Sequence, residues 1–364
     1  MKKYFALLMV LSMVFCMLAG CAAVDDGAAA DSANKDDERV DPVSADFSTD
    51  DTQDSDKPLA GKTIAFINCG PDDFYAAYND MLKVLVEDAG GVYEYAQSEY
   101  DAQTELNNVN DMIVKGVDAI GLMAVSSVTS ANAVKTAADA GIPVFLLGIA
   151  VEGCDQYVAY TGFDYYGYGQ AIGQYAVENY PDAKMITIDG ILTQDVSIQF
   201  RDGFMDTVEQ AGLERPVSLG DGGWSKEGAL NLMQDMIVSG REFDLVFCAN
   251  EEEVAGAVQA LDEAGITDKI ILSINGKEQG VELIKAGKLE VSISNAPTLL
   301  SDLAFQQMLA YLTGEDFPAE VNVSNPGYIT ADDQSAFIPW EAEAYAQYKT
   351  TDTKGITDIN SYVD

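Results

Sequence analysis

The chain contains no histidine. That one absence excludes Ser-His-Asp nucleophilic catalysis, His zinc sites and imidazole general bases together. Basic residues are scarce: 20 Lys and Arg stand against 60 Asp and Glu in 364 residues, a formal net charge of −40. Such a chain repels phosphate backbones and anionic headgroups, which argues against nucleic acid and against electrostatic membrane binding. Cysteine is sparse, five residues with no CxxC spacing. Three of them, Cys69, Cys154 and Cys248, lie in the body of the chain. An odd number at such spacings reads as small buried thiols in or near strands rather than as a disulfide framework. The apolar stretch from Tyr4 to Leu18 is shorter than the ~20 residues needed to span a bilayer.

That stretch has another use. Lys2 and Lys3 precede it, and Leu18-Ala19-Gly20-Cys21 follows, as in a secretory signal. The tetrapeptide resembles the lipobox of bacterial lipoproteins. The resemblance implies that residues 1–20 are a lipoprotein signal peptide, cut before Cys21, which then receives lipid such as palmitate. It places the protein on the outer face of the cytoplasmic membrane, on the extracellular or periplasmic side. An ordinary signal peptide with a chance cysteine is the plain alternative. Two or three acyl chains hold a protein firmly where one binds reversibly. Residues 21–58 read as a lipid-anchored acidic disordered linker. Its twelve acids face only Lys35, Arg39 and Lys57, and aromatics are almost absent, so it cannot bury a core and like charge extends it.

From Lys62 the pattern becomes regular. Thr63 to Ile67 is a short apolar strand, and Gly70-Pro71-Asp72-Asp73 turns the chain. Leu82, Leu85, Val86 and Ala89 then recur at i, i+3, i+4, i+7, the stripe of a helix lying on a sheet. The alternation continues through a helix near 102–115, a strand at 119–122, a helix near 129–140 and a strand at 144–147. A second series follows, with strands near 157–160, 184–188, 217–219, 245–248, 270–273 and 289–294. Continuous apolar strands between amphipathic helices predict α/β architecture with parallel sheets covered on both faces. Two such series predict two similar lobes.

Several segments resemble the sugar-type periplasmic binding proteins, the ribose- and galactose-binding-like substrate receptors of ABC importers. They are Lys115-Gly116-Val117-Asp118-Ala119-Ile120, Ala140-Gly141-Ile142-Pro143-Val144, and Asn250 through Ala257. Ala286-Gly287-Lys288-Leu289 with Ser294-Asn295-Ala296-Pro297 completes the set. The likeness covers roughly 61 to 330. It implies the type I fold of that family, two Rossmann-like lobes joined by a three-crossover hinge. The first lobe is expected over 61–161 plus about 296–325, the second over 162–295 plus about 326–364.

The resemblance also implies a ligand cleft between the lobes, at the carboxyl ends of strands. Asp72, Asp73, Phe74 and Tyr75 fall on the first-strand loop that contacts sugar in the family. Trp224 falls on the aromatic that stacks on the ring, and Asn250 on a hydrogen-bonding Asn. Asn275 and Asn295 fall on two further polar positions. An indole suits the apolar CH face of a pyranose, and carboxylates and amides suit its hydroxyl rim. Each residue also has a plainer duty open to it. Asp72 or Asp73 and Asn250 read equally as helix N-caps, and Trp224 as core or hinge packing. For the aromatic group Phe163, Tyr165, Tyr166 and Tyr168, cleft lining and hinge packing stay open. Two departures stand out: Gly148-Ile149 replaces an acid or amide with a basic neighbour, and Phe200 replaces an Arg. Arg201 compensates only with a rotated helix start. A roomier, more apolar cleft is expected, suited to a neutral solute and unsuited to anions.

The reading is therefore a lipid-anchored, monomeric substrate-binding protein, without cofactor, metal or catalytic residues. It captures a small neutral solute, a sugar before a nucleoside or glycoside, and presents it to an ABC permease. A receptor of the same fold feeding a sensor kinase or chemoreceptor is the first alternative. An extracellular carboxylate-dependent hydrolase is a distant one, because no acid pair stands out in so acidic a chain. A GxGxxxG-like string at Gly167, Gly169 and Gly173 suggests dinucleotide binding only weakly.

Overall fold

The computed structural model describes residues 56–324, 327–352 and 354–362. The expected signal peptide, Cys21 and the linker up to residue 55 lie outside those residues. The chain then runs β1 (Thr63–Asn68), α1 (Asp73–Asp88), β2 (Val92–Gln97), α2 (Ala102–Lys115), β3 (Ala119–Leu122), α3 (Ala131–Asp139), β4 (Val144–Leu147) and β5 (Ala159–Phe163). It continues through α4 (Tyr165–Asn179), β6 (Met185–Asp189), α5 (Asp195–Gln210), β7 (Val217–Asp221), α6 (Lys226–Ser239) and β8 (Leu245–Cys248). Next come α7 (Glu251–Glu263), β9 (Ile270–Ser273), α8 (Glu278–Lys285) and β10 (Val291–Ile293). The chain closes with α9 (Pro297–Thr313), β11 (Glu320–Val323), β12 (Tyr328–Thr330) and α10 (Ala342–Thr350).

Two six-stranded sheets result. One has the order β11-β5-β4-β3-β1-β2 and is parallel throughout. The other has the order β12-β10-β9-β8-β6-β7 and is parallel except for β12, which runs antiparallel to β10. Strands β3, β4 and β8 are buried at every position, as sheets covered by helices on both faces require. Each Leu, Val or Phe sealed in this way contributes roughly 1.5–3 kcal/mol of transfer free energy. Cys69, Cys154 and Cys248 are free thiols, the first and last of them buried.

The chain leaves the first lobe after β5, returns with α9 and β11, and leaves again to add β12 to the second sheet. These are the three passes of the expected hinge. A further pass departs from the expected boundaries: the segment 326–364 does not stay with the second lobe. Beyond β12, helix α10 packs on α1 and α9 of the first lobe. The physical cause is the Asp302 carboxylate of α9, only 1% exposed, which accepts from the Tyr345 hydroxyl at 2.9 Å and from Lys349 at 2.7 Å. A buried carboxylate needs such partners, and α10 supplies both. Among the described residues, no helix is long and apolar enough to cross a membrane.

The glycine string lies inside α4, away from any phosphate-binding turn. A β-carbon on Gly169 would stand 2.2 Å from the Phe200 carbonyl oxygen, and one on Gly203 2.2 Å from that of Tyr166. These glycines let α4 and α5 touch backbone to backbone. Gly169→Ala should therefore lower unfolding stability by about 1–3 kcal/mol. Urea denaturation checks it; an unchanged midpoint would show that the crossing relaxes freely.

Candidate functional site

The loops at the carboxyl ends of the parallel strands carry the polar residues, because the strands themselves are apolar. In both sheets these ends face one cleft, whose cavity measures about 260 Å³. All eight residues expected from the sequence line it: Asp72, Asp73, Phe74 and Tyr75 after β1, Trp224 after β7, Asn250 after β8, Asn275 after β9 and Asn295 after β10. Cap duty and cavity lining turn out to coexist. Asp72 caps α1, accepting from the Tyr75 N–H at 3.2 Å, and its other oxygen accepts from the Tyr100 hydroxyl at 2.7 Å. Burial pushes its carboxyl up in pKa, against the pull of those donors.

Trp224 is fixed from every side. Its backbone is left-handed, φ 56°, a conformation that a bulky residue keeps only when its surroundings hold it there. Its N–H donates to Glu253 at 3.2 Å, and its carbonyl accepts from the Asn250 amide at 3.2 Å. The indole Nε1 donates to Gln194 at 2.7 Å, and the ring stands edge-on to Phe200. A β-carbon on Gly190 would lie 2.3 Å from the indole, so only glycine leaves room for this ring. Asn250 also caps α7 through the Glu253 N–H at 2.8 Å. Asn275, at φ 109°, accepts from the Asn295 amide at 3.2 Å.

The departures resolve in one direction. Phe200 and Ile149 fill the space of the absent polar groups, and Arg201 pairs with its neighbour Asp202 instead of lining the cavity. The cavity lies below the ~300–1,000 Å³ of drug-sized sites. Of the aromatic group, Tyr165 lines the cavity and Phe163 a second cavity beside the hinge, whereas Tyr168 is fully buried. Tyr166 turns outward to Asp206.

Sequence reasoning missed Gln194, Lys277 and Trp340. Lys277 is the one cation among the lining residues, which include the acids Asp72, Asp73, Glu251 and Glu252. Its ammonium reaches Asp73 of the other lobe at 3.0 Å and lies 3.7 Å from Glu252. Burial tends to lower its pKa, but the Asp73 hydrogen bond and charge outweigh that and raise it. A second contact also joins the lobes, from the Ser127 hydroxyl to Asp195 at 2.6 Å. The charge of Lys277 is thus already compensated within the cavity wall.

Glu251 opens α7, accepting from Ser292 Oγ and the Gly276 N–H, each at 2.7 Å. Burial pushes its carboxyl pKa up to about 8. A folded-state pKa raised above the ordinary 4.5 means that the folded protein holds the proton more tightly than the unfolded one. Its contribution to stability is therefore greatest in acid and is lost as pH rises from about 4.5 to about 8. Glu251→Gln should remove that slope, so that its melting midpoint gains on the parent as pH rises. Parallel curves from pH 5 to 9 would count against a protonated Glu251.

The sequence profile described as "Periplasmic binding protein domain" matches residues 64–316. The chain is 26% identical over 267 residues to the ribose import binding protein of Salmonella typhimurium, covering 73% of this chain and 90% of that protein. It is 24% identical over 273 residues to the galactofuranose-binding protein of Escherichia coli, 72% and 86% covered. Among solved structures it resembles an ABC transporter solute-binding protein from Bacillus halodurans with bound myo-inositol. That match has TM-score 0.71 at 23% identity and covers 79% of this chain and 99% of the other. The fructose-binding periplasmic domain of a hybrid two-component system matches with TM-score 0.69 at 21% identity, 83% and 100% covered. At these identities the structural matches establish the fold.

Proposed function

The chain belongs to the periplasmic binding protein domain family, and we propose that it is an extracytoplasmic binding protein that captures a small neutral polyhydroxylated solute, a sugar or polyol, and delivers it to an ABC permease. The observation that carries this reading is the cavity itself. Aromatic rings supply apolar walls, Asn250, Asn275 and Asn295 supply amides, and the one cation among the lining residues is already paired. An apolar CH face and a hydroxyl rim are what such walls accept. A free anion would find no unpaired cation among the lining residues and would meet the acids Asp72, Asp73 and Glu252. Ligand touching both lobes favours the closed state by its differential affinity, and the permease reads that closed form. Cys21, lipidated, holds the protein at the outer face of the membrane, with the acidic linker as tether.

Melting curves with a panel of pentoses, hexoses, inositols, acyclic polyols and nucleosides test the binding. A neutral polyol should raise the midpoint, by mass action, and Trp224→Ala should abolish the rise while leaving the protein folded. Response to a nucleoside alone, or to no solute, would overturn the sugar reading. Deleting the gene should stop uptake of the responding solute. Normal uptake with a lost transcriptional response would assign the protein to sensing. Cys21→Ser should release the protein into the medium or periplasm, and retention with the membrane would refute the anchor.

A further inference from the structure

The segment that crosses back after β12 does more than fasten to the first lobe. It places Trp340 in the wall of the cavity, although it lies beyond the stretch 64–316 that matches the family. The indole is 7% exposed and edge-on to Phe74 of the first lobe, with ring centroids 5.5 Å apart at 71°. Its backbone N–H donates to Glu278 of the second lobe at 3.0 Å. The preceding carbonyl, that of Pro339, accepts from Thr298 at the start of α9 at 2.6 Å. Adjacent residues are thus tied to opposite lobes. Lys277 Nζ, 5.8 Å from the centre of the Trp340 ring, is the same ammonium that bridges to Asp73.

The rings around the cavity fall into two groups. Trp340 with Phe74 and Tyr75 forms one, and Trp224 with Phe200 and Tyr165 the other. Among the described residues no ring pair joins the two groups, and both line the same cavity. Building on the solute-binding reading above, we propose that Trp340 is a specificity-determining contact. The C-terminal strap delivers one aromatic wall, Trp224 forms the other, and the strap's position sets the size of solute admitted. Removing the indole enlarges a cavity of only about 260 Å³ and strips one wall from the ligand.

Trp224 and Trp340 are the chain's two tryptophans, so in Trp224→Phe all indole emission comes from Trp340. In that variant, free of solute, packing on Phe74 and the Thr298 bond to Pro339 should keep the emission to the blue of a free tryptophan amide. Releasing the strap with Asp302→Asn plus Lys349→Met should shift the emission to the red. For the polyol that raises the parent's midpoint, Trp340→Ala should weaken binding about tenfold or more, with Trp340→Phe between the two. The same Ala variant should gain affinity for a disaccharide such as sucrose. Unchanged affinities in Trp340→Ala would overturn the inference while leaving the binding reading intact. If no solute shifts the parent, the binding reading fails. The inference, which rests on that reading, then fails with it, and an indole quenched as freely as a small tryptophan amide overturns it separately, because the strap would not hold Trp340 in the cavity wall.

Discussion

Everything at this site follows from burying two parallel sheets on both faces. A strand such as Leu245–Cys248, wholly buried, has no side chain to spare for polar work. Polarity is confined to the ends of such strands, and parallel pairing puts all carboxyl ends of a sheet on one edge. With the two edges facing each other, the loops after β1, β7, β8, β9 and β10 meet around one cavity. Helices α1 and α7 begin there too, so their free N–H groups recruit Asp72 and Asn250 as caps. Capping and cavity lining share these residues because the geometry that requires a cap is the geometry that makes the cleft.

Glu253 shows how deep that dependence runs. Its carboxylate is fully buried, yet it accepts from the backbone of Ala249 and of Trp224, two different loops. Burial pushes its pKa well up, although the backbone donors of Ala249 and Trp224 pull the other way. An unpaired charge there would cost several kcal/mol, whereas the hydrogen bonds lock Trp224 in its left-handed turn. The indole is thereby held in one position at the cavity wall.

Much of this was legible in the sequence, because strand runs and helix stripes are local signals. Strands 119–122, 144–147, 245–248 and 270–273 lie where the apolar pattern placed them, and the eight expected residues converge on one cavity. Local signals do not report what fills a space. The cleft was expected to be roomy where polar groups were replaced, yet Phe200 and Ile149 occupy that volume. Lys277 and Trp340 were unreadable for the same reason. Lys277 matters through Asp73, 204 positions away, and Trp340 through a strap whose course depends on the buried Asp302. The second lobe's final boundary failed there because nothing in residues 342–350 names the helix they will lie on.

The contacts across the cleft also bear on how it closes. An ion pair with one exposed partner, as Asp73–Lys277 is, contributes only about 0–1 kcal/mol, and the Ser127–Asp195 hydrogen bond adds a similar amount. Both are formed only when the lobes meet, so they sharpen the closed geometry without dominating the balance. On the proposed function, a solute touching both lobes would decide the outcome, since a few kcal/mol of differential affinity moves a population from mostly open to mostly closed. In a chain this acidic, repulsion between lobes favours opening. Pairing Lys277 with Asp73 across the cleft offsets that repulsion locally.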